Sequence, residues 1–487
     1  MTRHRGWASS IGLAVATAMF AQCGGPGKPL DNTLPGRSRP LLAHDWKHPR
    51  DLAFQPGAFT PAPPGELARM KSGVRALVLE DSRETLVRVS AVLPLGRLFE
   101  REGEAGASGY AAQLLANPDT WPAADAIAVR LAAVGARPHV EQWLDATRVS
   151  VEVLAEDWRE GLGILIGLLR ALPADESPLT FRTGTGYASV TGGVEGAGFR
   201  PAVELQRLLA GYPLAPPDAG HALARAPARA LFARTVSPAA IVVGLAGRVS
   251  RADALDALEE ATSGWTSITE APSPVGLASR SAPAAMTTID AATLEGWIAI
   301  GRVVGPIPTS EQPALAVMAD LLGTRLNIAA REKRGLANRA NFVLPAELDR
   351  GGLLHIRTGG RAAAVAPLVK VSLDEVRRLH APGEPIGAEE LDDAKGAVVR
   401  GKWEAALDGV RTASDTYVLE LLRHGSINRL RAWPDAVRAV TADQVKAAAQ
   451  RYLDPAQMST VVVGPLDTIR AARHPRWPAS LDELARR

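Results

Sequence analysis

Cysteine is nearly absent: the single copy in 487 residues is Cys23, so no disulfide can close within the chain and no cysteine chemistry is available beyond its N-terminal region. Aromatic residues make up only 5%, too few for a base-stacking surface. Neither sign of charge dominates, with 55 Lys and Arg against 52 Asp and Glu and a formal charge of +3. That interspersed balance leaves no electrostatic footprint for nucleic acid, and the basic pI of 9.1 reflects arginine richness. No Gly-x-Ser-x-Gly elbow occurs, and none of the nine histidines falls in an H-x-x-E-H motif.

What the N-terminus does contain is an export pattern. Arg3, His4 and Arg5 precede a short apolar run at 11–20, too brief to span a bilayer. Cys23 follows directly, and Phe20-Ala21-Gln22-Cys23 resembles a bacterial lipobox, departing from it at Gln22, where a small residue is usual. Residues 1–22 therefore read as an export signal and 23–67 as a tether, with Cys23 as a lipidation site that anchors the chain to a membrane facing the periplasm. Ordinary cleavage after Ala18 is the alternative.

Beyond the tether, 73–82 and 85–95 alternate as strands, followed by helices at 107–116 and 123–134, the second entered by Pro122 and stopped by Gly135. Strands at 139–144 and 147–154 and an amphipathic helix from Trp158 to residue 172 complete a layout that suits helices on one face of a mainly antiparallel sheet. The Gly, Thr and Ser density at 182–199 predicts a loop, and 222–233 a helix. Arg234-Thr235-Val236-Ser237-Pro238 before an apolar strand at 240–245 is echoed by Arg451-Tyr452-Leu453-Asp454-Pro455 before 459–463. A helix, glycine, strand, turn, strand, helix order recurs around Gly135 and Gly335, so the chain reads as an internal duplication. The Pro, Ser and Ala stretch at 269–283 separates domains at 68–268 and 284–472, with a tail at 473–487.

Residues 324–338 read Thr-Arg-Leu-Asn-Ile-Ala-Ala-Arg-Glu-Lys-Arg-Gly-Leu-Ala-Asn. This segment resembles the second domain of the insulinase/pitrilysin-type zinc peptidases. The Glu389-Glu390-Leu391-Asp392-Asp393-Ala394-Lys395 helix and the Val440 to Val445 segment are similar to that family's closing elements, and Gly96-Arg97 and Gly106 to its approach to the zinc helix. The resemblance implies two related α+β domains, each a mainly antiparallel sheet with helices on one face, together forming half of a clam-like peptidase chamber.

In that family zinc sits on an inverted H-x-x-E-H helix, where histidines at i and i+4 share one face and the glutamate takes a proton from the metal-bound water. The matching stretch here is Gly106-Ala107-Ser108-Gly109-Tyr110-Ala111-Ala112-Gln113. Gly109 and Gln113 stand for the histidines and Ala112 for the glutamate. Glycine and alanine offer no donor and a neutral amide is a poor zinc ligand, so no catalytic residue, no metal ligand and no zinc cofactor are expected. Glu195, in the region where the family has its third ligand, reads as a solvated loop charge, and Glu100, Glu102 and Glu104 as a solvated acidic edge. The resemblance also implies an Arg and Tyr that hold substrate. Arg325 matches the Arg and reads equally as a salt-bridged helix residue, while Asn338 replaces the Tyr.

These readings point to a non-catalytic homologue in the bacterial envelope that partners an active zinc peptidase subunit and binds peptides, without nucleic acid. Alternatives are a metallopeptidase recruiting Gln113 and Glu195, or a stand-alone envelope binding or structural protein.

Overall fold

A computed structural model describes residues 59–117, 124–170, 196–209, 225–266, 272–275, 284–345 and 348–485. The export signal, Cys23, most of the tether, Pro122, Glu195 and most of the 269–283 linker lie outside the described residues.

Alternation builds the strands as expected. In β3 (Leu86–Leu93) Val87, Val89, Ala91 and Leu93 are buried in one core, while Arg88 and Ser90 face the other side of the sheet. This strand joins β1 (Ala68–Arg69), β2 (Arg75–Glu80), β4 (His139–Gln142), β5 (Thr147–Leu154) and β6 (Val242–Gly247) in the order β1-β2-β6-β3-β5-β4. The second sheet comprises β7 (Met286–Asp290), β8 (Glu295–Val304), β9 (Ala340–Val343), β10 (Gly352–Arg361) and β11 (Ser459–Gly464), in the order β7-β11-β8-β10-β9.

The two sheets repeat each other. In the first, β2 runs parallel to β6, and β6-β3, β3-β5 and β5-β4 are antiparallel. In the second, β7 runs parallel to β11, and β11-β8, β8-β10 and β10-β9 are antiparallel. Every strand from β2 to β6 thus has its counterpart five strands later. Pro238 and Pro455 each begin a 3-10 turn leading into β6 and β11, and Gly135 (φ 63°) and Gly335 (φ 61°) each take the left-handed turn that precedes β4 and β9. A side chain would strain the backbone at both.

Each sheet packs its own helices on one face, which makes the α+β reading correct. The cores are built from Leu114, Leu165 and Phe232 under the first sheet and Leu322, Leu326 and Leu368 under the second. The opposite face of each sheet is covered by a helix from the other half. Helix Val410–His424 lies on β6, β3 and β2, and helix Gly196–Leu209 on β8, β11 and β10. The close seating of the first depends on Gly244 in β6, where a Cβ would stand 2.6 Å from Ser414 Oγ and 2.9 Å from Val418 Cγ1. Charges fasten the exchange: Arg88 to Asp415 at 2.9 Å, Arg411 to Glu152 at 2.9 Å and Arg423 to Asp145 at 2.7 Å.

Helix Gly196–Leu209 corrects one expectation, because the Gly, Thr and Ser density predicts a loop through 196–199. Two glycines, and Pro201 inside the helix, lower its intrinsic propensity. Leu205 and Leu209 nevertheless pack on Ala299, Val303, Val461 and Val463, and this burial outweighs propensity, as tertiary packing generally does for short helices.

Candidate functional site

The stretch matching the zinc motif forms an intact helix, Ala107–Ala116, entered through Gly106 at φ 88°. Its first amides are held by Glu100, whose carboxylate accepts from Gly106 N at 3.0 Å, Ser108 N at 2.9 Å and Ser108 Oγ at 2.6 Å. Burial pushes the Glu100 carboxyl above its ordinary range, with these donors acting against the shift. Glu104 accepts from Arg234 Nη2 at 2.7 Å and from Arg101 N at 2.8 Å. The solvated acidic edge expected of these glutamates is therefore corrected: Glu100 is buried and anchors the helix, Glu104 ties the loop to helix Arg225–Thr235, and only Glu102 is exposed. A carboxylate able to cap a helix satisfies orphan amides that would otherwise be buried unpaired. The three glutamates had the sequence spacing of a loop, and nothing in that spacing distinguished the capping one.

Gly109 and Gln113 lie one turn apart and are half-buried, whereas Ala112 is fully buried. A Cβ at Gly109 would meet only Gln142 Oε1, at 3.7 Å. The family's metal does not fit these residues. Position 109 presents a hydrogen, 112 a methyl group in the core, and 113 a neutral amide, so no anionic or imidazole donor faces the slot. Among the described residues, no group of three His, Cys, Asp or Glu side chains could hold a metal ion. His139 lies in β4, His355 in β10 and His424 at the end of helix Val410–His424, in three separate elements.

The second expected site divides. Arg325, near the end of helix Gln312–Asn327, donates to Glu390 through Nε at 2.6 Å and Nη2 at 2.8 Å, to Glu384 at 3.3 Å and to the Pro385 carbonyl at 3.1 Å. Of its two readings, the structure shows the salt-bridged one. Asn338 is exposed and lines a cavity of about 930 Å³, whereas Arg325, Gly109, Ala112 and Gln113 do not. The cavity lies at the end of β10, walled by Glu295 and Trp297 of β8, Asn341 of β9, Arg357 and Arg361 of β10, Gly198, the 335–339 turn and His474. Of this wall, sequence reasoning named only Asn338 as a site residue and missed the arginines and Trp297. Its indole rests against Gly359, where any Cβ would collide with it, and against Gly198, whose Cβ would stand 3.2 Å from Cζ3.

Residues 223–398 match the family described as the peptidase M16 inactive domain. No curated protein matches the sequence. The fold is shared with the crystal structure of a peptidase M16 inactive domain from Pseudomonas fluorescens, at TM-score 0.69 and 18% identity, over 84% of this chain and 99% of that one. A protease from Helicobacter pylori gives TM-score 0.66 and 16% identity over 83% and 100% of the two chains. A chain of complex III2 from Candida albicans gives 0.64 and 14% over 83% and 97%. Residues 223–398 thus match a family model of the peptidase M16 inactive domain, the described chain shares its fold with M16 structures, and the stretch matching the family's zinc motif carries none of its zinc-binding residues.

Proposed function

We propose that this chain is a non-catalytic, peptide-binding subunit that works beside a catalytic homologue in the bacterial envelope, anchored through Cys23. The observation that carries the proposal is the preserved motif helix without its chemistry. Glu100 still caps it and Leu114 and Leu115 still fill the core, but positions 109, 112 and 113 offer nothing that binds zinc or accepts a proton from water. A helix kept for structure alone suits a subunit that completes a chamber. One chain of like fold belongs to a larger assembly, complex III2, which supports a role inside a complex. No described helix is long and apolar enough to cross a membrane, so the envelope reading rests on the N-terminal segment.

The full chain, produced with its own N-terminus and captured from membrane extract, should bring down a homologue with an intact H-x-x-E-H helix and should hydrolyse no peptide alone. Mass spectrometry of the mature N-terminus should find diacylglyceryl on Cys23. Peptide hydrolysis by the pure chain that a chelator abolishes and zinc restores would contradict the proposal, and an unmodified N-terminus at another residue would remove the anchor.

A further inference from the structure

We infer that the cavity at the end of β10 selects peptides carrying acidic side chains; the inference rests on the peptide-binding reading above and adds the class of peptide bound. Three arginines, Arg339, Arg357 and Arg361, line this space against a single carboxylate, Glu295. Among the described residues no ion pair joins Arg339 or Arg361 to a carboxylate, and both are exposed. Arg88, Arg325, Arg411 and Arg423 are each paired with acidic side chains of this protein. The forks of Arg339 and Arg361, which are free of ion pairs among the described residues, match carboxylates, which they bind with two parallel donors.

The surroundings favour the same occupant. Helix Ala362–His380 begins at the cavity wall through Ala363 and Ala364, and it has neither a side-chain cap nor an acidic residue in its first turn. Its positive end therefore adds to the field of the arginines. Trp297 is wedged flat by Gly198 and Gly359 and gives a fixed aromatic wall for the aliphatic part of a Glu or Asp side chain. Asn338 and Asn341 supply amide donors and acceptors suited to a peptide backbone. The volume lies within the range of built ligand sites, roughly 300–1,000 Å³.

The test uses the full chain and two fluorescein-labelled peptides of equal length, one rich in Asp and Glu and one in which Lys replaces them, read by fluorescence anisotropy. The acidic peptide should bind at least about tenfold more tightly, and added salt should weaken it. The Arg339→Glu/Arg361→Glu variant, at two exposed positions, should reverse the preference with an unchanged circular dichroism spectrum. Trp297→Ala should weaken both peptides in that variant and in the parent. Equal binding of the two peptides, or a preference that survives the charge reversal, overturns the acidic selection while leaving peptide binding intact. Binding of neither peptide overturns both readings. Displacement of the acidic peptide by inorganic phosphate at equal concentration also overturns the assignment, because it would mark a simple anion site.

Discussion

Arg325 and Glu390 meet fork to fork, with Nε and Nη2 of the arginine 2.6 and 2.8 Å from the two carboxylate oxygens. The pair ties helix Gln312–Asn327 to the first turn of helix Ala388–Val398. Only 13% of the Arg325 side chain is exposed, so water screens the pair less than it would a surface pair. Glu390→Ala is expected to lower stability by about 1–2 kcal/mol at neutral pH. The hydrogen bond from Arg325 holds the Glu390 carboxyl below its ordinary value, and burial opposes that shift. A depressed carboxyl stabilises the fold above its unfolded pKa and loses that effect as pH falls through the folded one. Urea midpoints of parent and variant should therefore differ at pH 7 and converge in acid below the ordinary glutamate range.

Two glycines should respond in opposite directions to the same substitution. Gly244→Ala places a methyl group 2.6 Å from Ser414 Oγ and 2.9 Å from Val418 Cγ1, which must push helix Val410–His424 off the first sheet. The expected loss is about 1–3 kcal/mol. Gly109→Ala, inside helix Ala107–Ala116, meets only Gln142 Oε1 at 3.7 Å. It should gain about 0.5–1 kcal/mol from helix propensity. Urea unfolding of the two variants checks both signs, and a stable Gly244→Ala would mean that the exchanged helix is not closely seated.

Glu100 offers a sharper test of the motif helix. Replacing it with Ala strands the amides of Gly106 and Ser108 and the Ser108 hydroxyl. Buried donors left without partners cost about 1–3 kcal/mol. The loss should appear as faster hydrogen exchange in 107–116 as well as a lower midpoint, since the cap acts at that helix.

How much of this was legible in the sequence depends on how local the signal was. Strands betrayed themselves by period-two burial, as in Val87, Val89 and Ala91, and the duplication by matching turns at Gly135 and Gly335. Helix Gly196–Leu209 was hidden because its glycines and Pro201 argue locally for a loop, while the Leu205 contacts that form it come from strands about a hundred residues later or more. Glu100 was hidden for a related reason. A capping carboxylate and a solvated one have the same sequence, and only the turn at Gly106 decides which is which. The lost zinc ligands were plain, because the donor chemistry is carried by residue type alone. The cavity was not, since Arg357 and Trp297 are brought to one place only by the pairing of β10 with β8.

His355 predicts an acid-sensitive component of stability. It is buried in β10, and burial first, with Arg357 next, pushes its pKa down to about 4. The unfolded chain therefore binds a proton from pH 6.5 downwards that the native state refuses until about pH 4. Stability is complete above the unfolded value and falls as pH drops through this window, by about 3 kcal/mol at most. Comparing His355→Leu with the parent at a series of pH values isolates the effect, and the variant should show the flatter acid limb. Parallel limbs would mean the imidazole is not held neutral.

The metal content of the purified full chain tests the central claim most directly. After exposure to zinc and removal of the unbound ion, inductively coupled plasma mass spectrometry should find no stoichiometric zinc, because Gly109, Ala112 and Gln113 present no ligand. One tightly held zinc per chain would contradict the account, and the Gln113→Ala variant would then show whether this helix holds it.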